Sequence, residues 1–121
     1  MATSWSATAG NAALTTLVAT YPWAQLHVGN PGANGTANVA TNTTRLQVTW
    51  GSAAVGLVSN SAQVQWTNVA GTEDYTHITF WTLVTAGVFG FSGLVTANAV
   101  VAGDTFTIPI GDIDVSLTLA S

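Results

Sequence analysis

Ten residues, Thr72 to Trp81, read TEDYTHITFW and gather two of the chain's five acids, one of its two histidines, a tyrosine, a phenylalanine and a tryptophan. Adjacent carboxylates such as Glu73 and Asp74 can divide acid and base roles, as in glycoside hydrolysis. A histidine beside them is a ready general base. Each residue also has a plainer reading. Glu73 and Asp74 are expected in the turn before a strand, where acids bond to the local backbone. In the strand that follows, Thr76, Ile78 and Phe80 share one face, and His77, Thr79 and Trp81 share the other. His77 beside Trp81 then reads as a packing or interface residue rather than a base.

The remaining chemistry is sparse. His27 and His77, joined by an acid, could bind zinc, but their spacing does not require it. Asp112 and Asp114 project from one strand face with Asp104 nearby, oxygen ligands of the kind that hold calcium; a solvated strand face and a turn aspartate account for them equally well. The chain has neither cysteine nor lysine, which excludes thiol and Schiff-base catalysis, and it shows no serine elbow or phosphate loop. Tryptophans at 5, 23, 50, 66 and 81 could stack on sugar rings. Trp50 and Trp66 fall on apolar strand faces and read as core, whereas Trp81 is the best exposed candidate. No catalytic residue, metal ligand or cofactor is assigned.

The elements that must position these residues are mostly strands. One segment, residues 9–21, has helical spacing at Leu14, Leu17 and Val18, with Asn11 as a candidate N-cap and Pro22 closing it. From Trp23 onward the period is two. Leu46, Val48 and Trp50 alternate with Arg45, Gln47 and Thr49; Val64 and Trp66 alternate with Gln63, Gln65 and Thr67. Ile113, Val115, Leu117 and Leu119 oppose Asp112, Asp114, Ser116 and Thr118. Further strands are expected at 24–28, 76–83, 88–93 and 105–108, separated by glycine- and asparagine-rich turns. The expected fold is mainly β: a single antiparallel β-sandwich, jelly-roll-like, with an N-terminal arm (1–8), a short helix (9–21) and the sandwich proper (23–120).

At 121 residues and 12.3 kDa the chain is one domain. Its net charge is −4, Arg45 is its single cation, and 5% of its residues are charged, against about 25% in an average soluble domain. Such a chain cannot neutralise phosphates, so neither nucleic acid nor an anionic membrane is an expected partner. Mean hydropathy is +0.42, yet Thr, Asn, Ser or Gly interrupts every run that approaches the length of a membrane span. The first twenty residues lack the basic start and continuous apolar core of a signal peptide. A soluble surface built from neutral polar residues has little protection against association, and much of it is expected to be covered by partners.

The order of motifs resembles a family of small virion proteins of tailed bacteriophages, especially those of actinobacterial hosts. Its pattern L-H-x-x-x-P-G-x-x-G is matched by LHVGNPGANG, Leu26 to Gly35. TRLQVTWG, SNSAQVQW, YTHITFW, the glycine hairpin TAGVFGFSG and a closing VAGDTFTIPIGDIDVSL follow in order. The resemblance spans about Ala12 to Leu119. It departs at Thr44, where the family commonly has tyrosine, and in a hairpin less polar than usual. What it implies is an assembly protein rather than an enzyme. The first expectation is a capsid-decorating or minor capsid protein, with a homotrimer as the favoured form, seated on the outer surface of the head against the major capsid protein. The alternative is a tail-associated or tail-fibre protein bound to tail proteins, with receptor or glycan binding as a third reading. Candidate contact residues are Trp5, Asn30, Pro31, Asn34, Arg45 and Trp81. The loop from Gly29 to Asn42 is uncharged and expected to be ordered by a partner, and Arg45 is the one residue able to form a bidentate ion pair with an acid of this chain or a neighbour.

Overall fold

The computed structural model describes residues 3–120, without the side chains of Ala97 and Asn98; expectations falling on residues 1, 2 and 121 lie outside the described residues. One helix and eight strands follow in chain order: α1 (Ala7–Thr20), β1 (Trp23–His27), β2 (Leu46–Gln47), β3 (Leu57–Ser59), β4 (Val64–Trp66), β5 (Glu73–Trp81), β6 (Phe89–Val100), β7 (Phe106–Ile108) and β8 (Asp114–Ser116). The fold is mainly β and antiparallel, a small sandwich with one helix. Its main sheet runs β2-β1-β5-β6, and two shorter ladders, β4-β7 and β3-β8, complete it.

The alternation read from the sequence places the core. Ala24 and Leu26 of β1 and Ile78 and Phe80 of β5 face Val64 and Trp66 of β4, Phe106 and Ile108 of β7, and Ile113. Aromatic rings knit the layer: Phe80 stacks on Phe91 at 4.5 Å, and Phe106 meets both Tyr75 and Trp66. A second, smaller cluster joins Leu14 and Val18 of α1 to Val58 of β3. Trp50 packs against both clusters.

Several boundaries differ from the expected ones, each for a local reason. The helix begins at Ala7, taking two residues from the expected arm, and its cap is Ser6 rather than Asn11. Ser6 is extended and its hydroxyl accepts the Ala9 N–H at 3.1 Å. The Asn11 amide oxygen instead accepts the Gly56 N–H, tying the helix to the loop before β3. Residues 45–50 keep their alternation but change partners: Leu46 and Gln47 pair with β1, whereas Trp50 bridges to Asn60. Strand β5 begins at Glu73, so Glu73 and Asp74 lie in the ladder opposite Val100 and Ala99 rather than in a turn. Strand β6 runs seven residues past its expected end at Gly93 because β5 offers partners along that whole length. Strand β3 was not foreseen; its short Leu57–Ser59 run is defined by pairing with β8.

The β5–β6 register holds a further detail. Phe80 pairs with Phe91 but Trp81 with Phe89, leaving Gly90 as the extra residue of a bulge. Phe89 and Phe91, two apart on one strand, are thereby turned to opposite faces of the sheet. Gly90 is required there because a Cβ would run into the Tyr21 ring.

The cap assignment is directly testable. Ser6→Ala should lower the unfolding free energy by about 1 kcal/mol, and Ser6→Asp, which keeps an acceptor, should restore it. Urea melts would read the difference; an unchanged midpoint in Ser6→Ala would return the cap to Asn11.

Candidate functional site

Strand β5 is buried on both faces, and its second face carries the polar residues that the sequence singles out. His27 lies opposite His77 in the β1–β5 ladder, Gln25 opposite Thr79 and Trp23 opposite Trp81. His27 is 0% exposed. Its Nδ1 lies 2.9 Å from the Ala37 carbonyl and its Nε2 2.8 Å from the Thr79 hydroxyl, which also receives the Trp81 indole N–H at 2.8 Å. A carbonyl accepts, an indole N–H donates, and burial favours the uncharged imidazole, which together fix the directions. Nδ1–H donates to Ala37, Trp81 donates to Thr79, and the Thr79 hydroxyl donates to Nε2. His27 is therefore the neutral Nδ1–H tautomer with both nitrogens committed, leaving no lone pair for a metal. His77 stands beside it with Nδ1 2.8 Å from the Thr76 hydroxyl. Among the described residues, no group of three potential metal ligands is assembled.

Burial is the largest cause holding His27 below its ordinary value of 6.5; its backbone bonds at Ala37 and Asn38 oppose the shift, and His77 and Arg45 add to it. A folded pKa below the unfolded one means that the unfolded chain takes up the proton first.

Arg45 covers the same face. Its guanidinium lies 4.2 Å over the Trp81 ring, close enough for cation–π attraction. Its Nε donates to Gln25 Oε1 at 3.1 Å, and Nη1 donates to the carbonyls of Leu83 and Ala86 at 2.9 and 2.6 Å. Burial lowers its pKa from a value so high that it stays charged. The ion pair expected of Arg45 with an acid of its own chain is replaced by this clasp on the turn between β5 and β6. Trp81, expected to be exposed, is 8% exposed, because Arg45 on one side and Phe89, 5.5 Å away, cover its ring.

The loop from Val28 to Asn42 closes over this face and is ordered by its own chain. Asn30 Oδ1 accepts the Gly32 N–H, Asn38 Nδ2 donates to the Asn30 carbonyl, and Ala37 N–H donates to the Pro31 carbonyl. Gly35, at φ +70°, presses so close to Phe89 that a Cβ would sit 2.5 Å from the ring. At the loop's end the Glu73 carboxylate accepts the Thr41 N–H at 2.6 Å and the Asn42 N–H at 3.4 Å. Glu73 is thus a tether, and Asp74, its neighbour in an extended strand, points to the other face. The paired-carboxylate chemistry does not assemble. Asp104 closes its own turn through the Val101 N–H, and Asp114 accepts the Ser59 hydroxyl.

Of the candidate contact residues, Trp5, Asn30 and Asn34 are exposed, Arg45 is half-buried, and Pro31 and Trp81 are buried. Trp5 is pinned by its backbone, donating to the Thr118 carbonyl and accepting from Ala120. The exposed feature that sequence reasoning missed is aliphatic. Leu83, Val84 and Val88 stand on the surface of the turn that Arg45 holds. Leu83 and Val88 read as the ends of strands 76–83 and 88–93, but β5 stops at Trp81 and β6 starts at Phe89, which leaves these aliphatics in the turn.

Comparison with known families gives this domain a setting. The family described as podophage GP4 fiber I protein gp80 matches residues 1–116. The chain belongs to this family. It is accordingly a structural protein of the tailed-phage virion. No curated protein matches the chain.

Two outcomes follow from the buried face of the fiber-family domain. Stability should be full above pH 6.5 and decline as the pH falls from there toward the folded His27 pKa, a slope absent in His27→Asn; denaturant melts across that range would show it. Trp81→Ala should lower the unfolding free energy by about 3–5 kcal/mol, the cost of a core residue; a loss below about 1 kcal/mol would mean that the ring is a surface platform after all.

Proposed function

We propose that this chain is a non-enzymatic building block of a phage tail fibre, acting as a homo-oligomer with a closed trimer as the expected form and held by other tail proteins. The observation that carries the reading is the match of residues 1–116 to the fiber I family. The state of the polar residues supports it: His27 has both nitrogens committed, Glu73 tethers a loop, and Arg45 clasps a turn. Each acts on the fold and none is left to act on a substrate. A seat on the outer head beside the major capsid protein would use the same low-charge surface, and the family description favours the fibre over it.

Quantitative mass spectrometry of purified particles separates the two placements. A fibre at a tail axis of cyclic symmetry should give roughly a few tens of copies or fewer per particle. Abundance on the scale of the major shell protein would overturn the tail placement and put the domain on the capsid lattice.

A further inference from the structure

The 28–42 loop contains the chain's single Asn-Gly pair, Asn34–Gly35. Asn34 stands exposed in a turn closed by the Gly35 N–H, which donates to the Gly32 carbonyl at 3.2 Å, the long end of the range for such a bond. An asparagine amide carbon lies within reach of the backbone nitrogen of the residue after it, and attack there closes a succinimide ring. A following side chain ordinarily screens that nitrogen. Glycine leaves it bare and gives the backbone the freedom that the ring needs.

The other asparagines of the loop each lack one of these conditions. Asn30 precedes Pro31, whose nitrogen carries no proton to give up. The Asn38 amide is held by the Asn30 carbonyl and precedes the branched Val39. Asn42 is buried. Gly35 is also the point at which a change of backbone is felt most. It takes the left-handed φ of +70° and lies so near Phe89 that even a Cβ has no room, and Phe89 in turn covers the Trp81 ring.

We propose that Asn34 is a self-modification site, its side-chain amide converted to a carboxylate through a succinimide with water as the co-reactant. The Gly35 nitrogen gives its proton to solvent hydroxide and attacks Asn34 Cγ. A C–N bond forms, and the side-chain nitrogen takes up a proton and leaves as ammonia. Water then opens the ring at either carbonyl. Opening at Cγ gives aspartate with the backbone unchanged. Opening at the backbone carbonyl gives isoaspartate, in which the chain runs through the former side chain and is longer by a methylene. Either product places a negative charge in residues 28–42, which otherwise carry none. The longer product also drives Gly35 off the Phe89 ring, because the backbone has no room to shift against it. The loop then loosens at that clamp while the Glu73 tether at Thr41 and Asn42 holds its far end. The site does not depend on where the protein sits in the particle.

The test incubates the whole chain, wild type and Asn34→Gln, at mildly alkaline pH and follows both by isoelectric focusing and peptide mass spectrometry. Asn34 is exposed and outside the left-handed region, so glutamine fits there without strain, and its longer amide closes a larger ring slowly. Wild type should accumulate a more acidic species whose amide-to-acid mass change maps to Asn34, and a protein-isoaspartate methyltransferase should label the same peptide. Asn34→Gln should lose both signals. In the labelled fraction, hydrogen exchange should quicken at the Ala37 amide, which donates to the Pro31 carbonyl, and stay unchanged in the β1–β5 ladder. Asn68 is the internal control, exposed but followed by the buried, branched Val69. Conversion at Asn34 no faster than at Asn68, or an acidic species that persists in Asn34→Gln, would overturn the site. Conversion without methyl labelling, or with Ala37 exchange unaltered, would overturn the loosening of the loop and leave the charge change standing.

Discussion

Burial of strand β5 on both faces is the constraint around which the domain is arranged. A strand with one wet face can leave polar residues to water; this one cannot. One face meets the aromatic core through Ile78 and Phe80. The other must satisfy every polar group internally, and the Ala37–His27–Thr79–Trp81 chain of hydrogen bonds does so. Closing that face requires the 28–42 loop, and holding the loop requires Glu73 at its end. Arg45 follows from the same need: a cation over the Trp81 ring, with its donors spent on Gln25 and the β5–β6 turn, seals the edge that the loop leaves open.

Much of the apolar side of this arrangement was legible in the sequence. Period-two alternation marked Val64, Trp66 and Ile113 as inward-facing, and they are buried. The second buried face was not legible, because His, Thr, Gln and Arg read as a solvent face whether water or other polar groups satisfy them. Trp81 was misplaced for that reason. Pairing decided other features. Strand β3 exists through β8, and the Gly90 bulge depends on a register that no local pattern encodes. Ser6 and Asn11 are both good cap residues; the choice fell to Ser6 because Asn11 is drawn off to Gly56. The candidate site divided along the same line. Asn30 and Asn34 are exposed, as a contact role requires, whereas Leu83 and Val88, read as strand ends, stand on the surface of a turn.

Low charge has a structural counterpart in how the few ionisable groups are used. Arg45, Glu73, Asp104 and Asp114 each bind a neighbouring side chain or backbone group within the subunit. What remains outward is sparsely charged, with Asp74 and Asp112 standing among neutral polar residues and a few aliphatic projections. For a component of the fiber family, such a surface keeps long-range fields weak, so association depends on shape and on contact at short range, with little sensitivity to salt.

Trp50 has a consequence for how the domain comes apart. It packs against both apolar clusters, and its indole N–H is buried without a partner. The helix and the β3–β8 ladder therefore lean on the main sheet partly through a ring held by packing rather than by a polar bond at its nitrogen. Structure so joined opens in stages. Amide protons of the smaller unit can exchange through a local opening at Trp50 while those of β1 and β5 wait for the whole sheet to unfold. Under load the domain can let go of its helical side and recover, with the main sheet and the Arg45-held turn still intact.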